Sequence, residues 1–334
     1  MEEKVSVLIT FYNQEKYVDD CLSSVFAQHT TFSFVVIVGD DGSSDQTLNK
    51  VLKWEKQYPT KLRHIIQDRN PDEKYVGGVR ASKNRLSLIK EVKTPYFIFL
   101  DGDDYWISND KLQKQVDLLE MEENSDCEAC AHYVNSFNED KPEEEPSVIP
   151  ARRLKEGKIP FQIYWEDMYF HTDSILFRSR HIPDLDFMLL ENHFNDNVIT
   201  FCFLRFGPVY FIPETMATYR KNMNGIYTGD KFAVGMLRDI FDYDITVKMM
   251  PNIKPVSRRR HLHDFMFVQG HRKEMTSLDS YKQIAIKDNL PTSLRIVNTG
   301  FCFVNNGLGD RLYIIMVRLQ RQIIIRWRKL FGIQ

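Results

Sequence analysis

Residues 101–104 read Asp-Gly-Asp-Asp and end the apolar run "YFIFL". Three carboxylates at such close spacing repel one another unless a cation sits among them. A D-x-D at the end of a β-forming segment can hold Mg2+ or Mn2+ through one or two carboxylates, leaving positions for water and phosphate oxygens. A cation placed there can neutralise a diphosphate leaving group. Asp101, Asp103 and Asp104 are therefore candidates for a divalent-metal site. Three further polar clusters follow apolar runs: Thr10-Phe11-Tyr12-Asn13, Asp40-Asp41-Gly42-Ser43 and Asp68-Arg69-Asn70. One polar tip would be an ordinary capped loop. Four on one edge fit a ligand site better.

The elements that must position these groups are legible in the hydrophobic pattern. "VSVLIT" (5–10) and "FSFVVIVGD" (32–40) are nearly continuous β-branched and aromatic runs, as in strands covered on both faces. Residues 14–28 carry Tyr17, Val18, Cys21, Leu22, Val25 and Phe26 at helical spacing. A Gly/Ser turn then leads into an amphipathic helix that stops near Pro59. A third strand is expected over 62–68, a helix over 78–92 and a fourth strand over 95–104. This alternation predicts an α/β fold with right-handed crossovers and a mainly parallel sheet. Ligands bind such sheets outside the carboxyl ends of the strands, where the four clusters fall.

The 334 residues suffice for one large domain or a domain with an appendage, and 43% hydrophobic with 27% charged residues is ordinary for a globular chain. A formal net charge of −2 gives no general attraction to nucleic acid. Five scattered cysteines suit a reducing compartment, and Cys127 with Cys130 forms a lone C-x-x-C that reads as buried thiols rather than a zinc site. The N-terminus lacks a basic, apolar leader, and no stretch reaches the roughly 20 apolar residues of a spanning helix. The expected location is the cytoplasm. No G-x-G-x-x-G follows the first strand and no Walker A loop is present, which weighs against dinucleotide redox and P-loop chemistry.

In "VSVLITFYNQEKYVDDCLSSVFAQ", "VVIVGDDGSSDQT", "FIFLDGDDYW", "DSILFRS" and "NDNVITFCFLRFGPVYFIPETMATYRKNMNGIYTG" the chain resembles the family 2 inverting glycosyltransferases of the GT-A fold, a family rich in bacterial polysaccharide enzymes. The likeness covers roughly residues 4–229. It implies a Rossmann-like central sheet flanked by helices over 1–230, with a nucleotide-binding half to about 105 and an acceptor half beyond it. A helical C-terminal region would occupy 231–334. By resemblance, Asp40 and Asp41 meet the nucleotide base, while Thr10, Tyr12 and Asn13 line base and ribose. Asp103 would be the direct metal ligand, with Asp101 near the ribose or a bound water and Asp104 near donor sugar or metal. Asp196 falls where the family keeps its catalytic base, with Asn195 replacing the usual acidic or glycine neighbour and Glu191 as the fallback; Asp196 would equally suit a helix N-cap. Asn222 stands where a histidine is common, so Arg220 would take more of the phosphate charge. Asn84 lies near the diphosphate, whereas Arg80 and Lys83 read first as solvated helix charges.

The resemblance implies transfer of a sugar from a nucleotide-diphosphate donor, most simply a UDP-sugar, to a glycan or lipid-linked glycan hydroxyl, with Mn2+ or Mg2+ as cofactor. A catalytically degenerate sugar-nucleotide-binding protein and a sugar nucleotidylyltransferase are the alternatives; "TFYNQEKY" lacks the Gly-rich basic loop of the latter. Residues 311–334 carry Arg311, Arg318, Arg321, Arg326, Arg328 and Lys329 with no acid. That composition suits a helix lying on an anionic membrane face, with packing on the domain or in an oligomer interface as the alternative.

Overall fold

The computed structural model describes residues 2–69, 77–151, 153–167, 170–222, 232–250 and 278–290. The chain divides into two compact units, Met1–Asp230 and Lys231–Gln334. In the first, β1 (Glu3–Phe11), β2 (Ser33–Asp40), β3 (Leu62–Ile66) and β4 (Tyr96–Asp101) pair in parallel in the order β3-β2-β1-β4. Three helices join them: α1 (Val18–Phe26), α2 (Thr47–Gln57) and α3 (Gly77–Ile89). Two consecutive crossovers run outward from β1 to β3; the third returns to the other side of β1, so strand order reverses between β1 and β4. Such a reversal opens a crevice at the carboxyl ends of the strands.

The sheet continues as β9-β6-β10-β5. Here β9 (Leu176–Arg178) runs antiparallel to both β4 and β6 (Ala129–Asn138), and β10 (Val209–Lys221) is parallel to β6. Three short strands, β5 (Tyr105–Trp106), β7 (Ser147–Ile149) and β8 (Gly157–Ile159), pair antiparallel at its margins. Around the sheet lie α4 (Lys111–Glu120), α5 (Phe161–Asp167), α6 (Phe187–Leu190) and α7 (Asp196–Leu204). In the second unit the described helices are α8 (Phe232–Met249) and α9 (Leu278–Lys287), with Ile240, Ile245, Ala285 and Leu290 buried.

The core explains why the apolar runs form strands. Val5, Val7, Leu8, Ile9, Val36, Ile37, Val38, Phe97 and Ile98 are all fully buried. Helix α1 covers part of one face through Val18, Cys21, Leu22 and Val25. On α7, Phe203 meets Phe97 at 4.9 Å between ring centroids, and Phe194 just before that helix meets Phe99 at 6.2 Å. Cys127 and Cys130 are buried free thiols. The basic tail, 311–334, and Asn70 lie outside the described residues.

Two predicted boundaries shift for local reasons. Helix α1 starts later than position 14 because Asn13 adopts a left-handed φ of 50°, with its side-chain oxygen accepting from Ser44 N at 2.8 Å. Strand β4 stops at Asp101 rather than 104 because Asp104 N turns back to Asp101 O at 2.9 Å. The turn needs glycine at its second position. A Cβ on Gly102 would lie 2.2 Å from Phe11 Cδ1 and 2.6 Å from Thr10 O, closer than atoms can approach. Gly102→Ala is therefore expected to lower unfolding stability by about 1–3 kcal/mol through overpacking, measured by urea denaturation, and to displace the adjacent carboxylates.

Candidate active site

Strand register places the polar tips side by side. Thr10 is the β1 partner of Asp101 on β4, and Phe11 the partner of Asp40 on β2. The carboxylates of Asp101, Asp103 and Asp104 therefore emerge beside Thr10 in the crevice where strand order reverses. Thr10 Oγ1 lies 3.5 Å from Asp101 Oδ1. Asp104 is almost fully buried and its Oδ1 accepts from the backbone N–H of Arg220 at 2.7 Å. Asp103 Oδ2 accepts from Asn222 Nδ2 at 3.0 Å.

Residues without an assigned role in the sequence complete this cluster. A 3-10 turn, Thr172–Ser174, carries Asp173, whose Oδ1 accepts from Asp101 N at 3.1 Å. His171 Nδ1 lies 2.9 Å from Asp173 Oδ2, and both are buried. Gln115 on α4 holds this turn in place by donating to Ser174 O at 2.8 Å and to Cys130 O at 2.7 Å. Arg85 on α3 extends Nη2 to Asp101 Oδ1 at 2.7 Å and to Asp196 Oδ1 at 3.0 Å. Arg85 sits one position beyond Asn84, and His171 and Asp173 interrupt an apolar block. Those offsets were the signals available in the sequence.

Asp196 thus reaches the same place as the D-x-D from a distant segment. It is not the N-cap of α7. Asn195 has that role, its Oδ1 accepting from Val198 N at 3.1 Å, so Asp196 is the first helical residue with its carboxylate directed elsewhere. Glu191 is half-exposed and lies 3.8 Å from Lys83 Nζ. Arg80 is buried, contrary to the solvated-charge reading, because it pairs with Asp41. Asp41 also receives Arg69 Nη2 at 2.6 Å, and the Arg69 guanidinium stacks 3.6 Å from the Tyr12 ring. Asp40 accepts locally from Ser43 N and Oγ at 2.9 and 2.6 Å. Asn84 donates to Gly39 O at 2.8 Å. The Arg220 guanidinium pairs with Asp20 at 2.7 Å and lies over the rings of Tyr17 and Tyr105, so its link to the acidic cluster is through its main chain.

Electrostatics set this cluster apart. The carboxylates of Asp101, Asp103, Asp104, Asp173 and Asp196 act on one another there, with Arg85 and His171 among the cationic side chains that oppose them. Burial, added to the charge of Asp101, pushes the Asp103 carboxyl up to about 6. Burial and the Asp173 and Asp103 charges push Asp104 far above the carboxylate range. Burial also raises Asp101, although Arg85 opposes it. His171 rises to about 9: burial would lower it, but Asp173 more than offsets that. Donor atoms of Asp101, Asp104 and His171 lie within 4.8 Å of one another, and Asp104 Oδ2 is buried without a hydrogen-bond donor. An oxygen-rich set short of positive charge fits a divalent cation.

These raised carboxyl and imidazole pKa values give stability that is full at low pH and is lost as pH rises through about 6 and then about 9. In chelator, the melting temperature is expected to fall between pH 5 and pH 8.5. Because Mn2+ requires deprotonated ligands, the stabilisation it gives should be larger at pH 8 than at pH 5.5. Differential scanning fluorimetry with and without Mn2+ measures both, and Asp103→Asn should flatten the lower step.

The sequence profile described as Glycosyl transferase family 2 matches residues 6–185, more than half of the chain. Uncharacterized protein Rv1520 of Mycobacterium tuberculosis is 28% identical over 233 residues, covering 67% of this chain. The chain spans 60% of the length of that relative. The UDP-Glc:alpha-D-GlcNAc-diphosphoundecaprenol beta-1,3-glucosyltransferase WfgD of Escherichia coli is 31% identical over 115 residues, 34% of this chain and 40% of that one. In three dimensions the chain is similar to the crystal structure of Staphylococcus aureus TarS 1-349 in complex with UDP, with a TM-score of 0.55 at 16% identity over 84% of this chain and 75% of that one. The chain has four parallel strands with a reversal between β1 and β4, and it belongs to glycosyl transferase family 2, with the GT-A architecture.

Proposed function

We propose that the protein is a metal-dependent inverting glycosyltransferase that moves a hexosyl or N-acetylhexosaminyl group from a nucleotide-diphosphate donor, a UDP-sugar, to a hydroxyl of a glycan or lipid-linked glycan in cell-surface polysaccharide synthesis. The observation that carries this reading is the convergence of Asp196 with the D-x-D turn through Arg85, at 3.0 and 2.7 Å. Membership of the family and the likeness to a structure that binds UDP support the donor class. The partial likeness to an enzyme named for a diphosphoundecaprenol acceptor supports a lipid-linked acceptor.

Inverting transfer is an in-line displacement at the anomeric carbon. The bond from that carbon to the acceptor oxygen forms as its bond to the diphosphate oxygen breaks, and the hydroxyl proton passes to a carboxylate on the opposite face. Asp196 is the group assigned that proton. Asp101, Asp103, Asp104 and His171 would hold the cation. When bound, a divalent ion supplies counter-charge to the departing diphosphate. Arg69 and Tyr12 form a stacked pair beside Asp41 that offers a flat, partly exposed face to a nucleotide base. Thr10, Asn13, Asp40 and Asn84 shape the surrounding turns.

No helix among the described residues is long and apolar enough to cross a membrane. The acid-free composition of 311–334 supports peripheral attachment to an anionic inner membrane face.

Two experiments test the proposal. In transfer and hydrolysis assays over a panel of UDP-sugars with Mn2+, Asp196→Asn should lower kcat by roughly 10²–10⁴-fold and leave UDP affinity unchanged. Asp103→Asn should instead weaken Mn2+-dependent UDP binding by about tenfold or more in calorimetry. Full transfer by Asp196→Asn would remove it from the base role. In sedimentation with vesicles rich in anionic lipid at low salt, the protein should pellet, and replacing Arg318, Arg321, Arg326 and Arg328 by Gln should abolish this. Equal pelleting of both would refute membrane attachment through the tail.

A further inference from the structure

Helix α3 sends polar side chains to three neighbouring strand ends. Arg80 reaches Asp41 after β2 and donates to Asp68 O after β3 at 3.3 Å; Asn84 reaches Gly39 O within β2; Arg85 reaches Asp101 at the end of β4. Arg85 goes further than the other two, because the same Nη2 also lies 3.0 Å from Asp196 Oδ1 on α7. Its side chain is 10% exposed, and those of Asp101 and Asp196 are 23% and 25% exposed, so water screens this bridge far less than a surface pair.

Helix α7 has a second, apolar attachment. Phe194 and Phe203 pack on Phe99 and Phe97 of β4. Those contacts fix the helix but not the direction of the carboxylate in its first turn. Left to itself, an acid at that position would be drawn to the helix's own unpaired N–H groups. Asn195 occupies one of them, that of Val198. Arg85 supplies the competing attraction toward the acidic cluster.

Resting on the transfer reaction proposed above, we infer that Arg85 is a positioning residue that sets the distance between the proton-accepting Asp196 and the diphosphate-side Asp101. One guanidinium nitrogen shared between the two carboxylates links the acceptor side of the crevice to the donor side. Lysine keeps the charge but carries it on a shorter stem as a strongly hydrated ammonium, which reaches both carboxylates less well, so it is not a conservative replacement here. Asn195 caps the helix, and Arg85 orients Asp196.

The test uses the full chain with Mn2+ and the most active UDP-sugar from the panel. Arg85→Lys should lower kcat by about 10- to 100-fold, as expected for misplacement of a reacting group, with donor KM changed by less than about threefold. Arg85→Ala should lose more, and guanidinium ion in the assay should restore part of its kcat. A third readout needs no activity. In metal-free melting experiments, Asp196→Asn should recover part of the stability lost in Arg85→Ala, because it removes one of the two carboxylates whose charge Arg85 offsets. An unchanged kcat in Arg85→Lys, a loss confined to KM, or additive melting shifts would each overturn the inference. A wild-type chain that transfers no sugar yet keeps the melting coupling would overturn the transferase reading and Arg85's part in it. The coupling distinguishes that outcome from a bridge that does not exist. Should Arg85→Ala fail to fold, Arg85→Lys with Asp196→Asn completes the same cycle.

Discussion

Negative charge crowded into a buried crevice is the constraint on which the rest of this molecule depends. Asp101, Asp103, Asp104, Asp173 and Asp196 converge around Arg85 and His171, which bring positive charge to them. Burial raises the proton affinity of three of these carboxyls, so at neutral pH the cluster holds protons or must gain a cation. A stable core would avoid such an arrangement, since buried like charges oppose folding. Its position at the carboxyl ends of parallel strands supports the proposed site for a divalent ion and a diphosphate.

The scaffold around the cluster is built to resist that repulsion. Strands β1, β2 and β4 are buried on both faces, and their parallel register places Thr10 against Asp101 and Phe11 against Asp40. Gly102 lets the acidic turn pass against Phe11 with no room for a side chain. Behind the turn, Asp173 accepts the Asp101 N–H, and Gln115 ties the Asp173 segment to α4 and β6. Hydrogen bonds from rigid backbone hold the carboxylates where flexible side chains alone would let them separate.

Departures from the common family pattern acquire physical meaning in this setting. Asn222 faces Asp103 with an amide N–H, a neutral donor where a histidine would offer a metal ligand. His171, from another part of the chain, brings its imidazole close to Asp101 and Asp104. Arg220 is committed to Asp20 and two tyrosine rings, and it steadies Asp104 through its backbone. Arg69, Arg80 and Arg85 bring positive charge to the neighbouring strand tips, each paired with an aspartate.

What the sequence alone determined is the part governed by local pattern. Continuous apolar runs required buried parallel strands, helical spacing required the crossovers, and a run of acids after "YFIFL" marked the working edge of the sheet. Within that limit, the four strands, their connecting helices and the D-x-D were legible. The family and the structural likeness agree with the α/β reading. Tertiary structure decided what depends on distance between remote residues. It made Asn195 rather than Asp196 the cap, drew Arg80 out of solvent onto Asp41, and joined Arg85 to both Asp101 and Asp196. No spacing rule connects α3, β4, the His171–Asp173 turn and α7, because charge pairing acts through space, and only packing of the aromatic core brings those four segments within reach of one another.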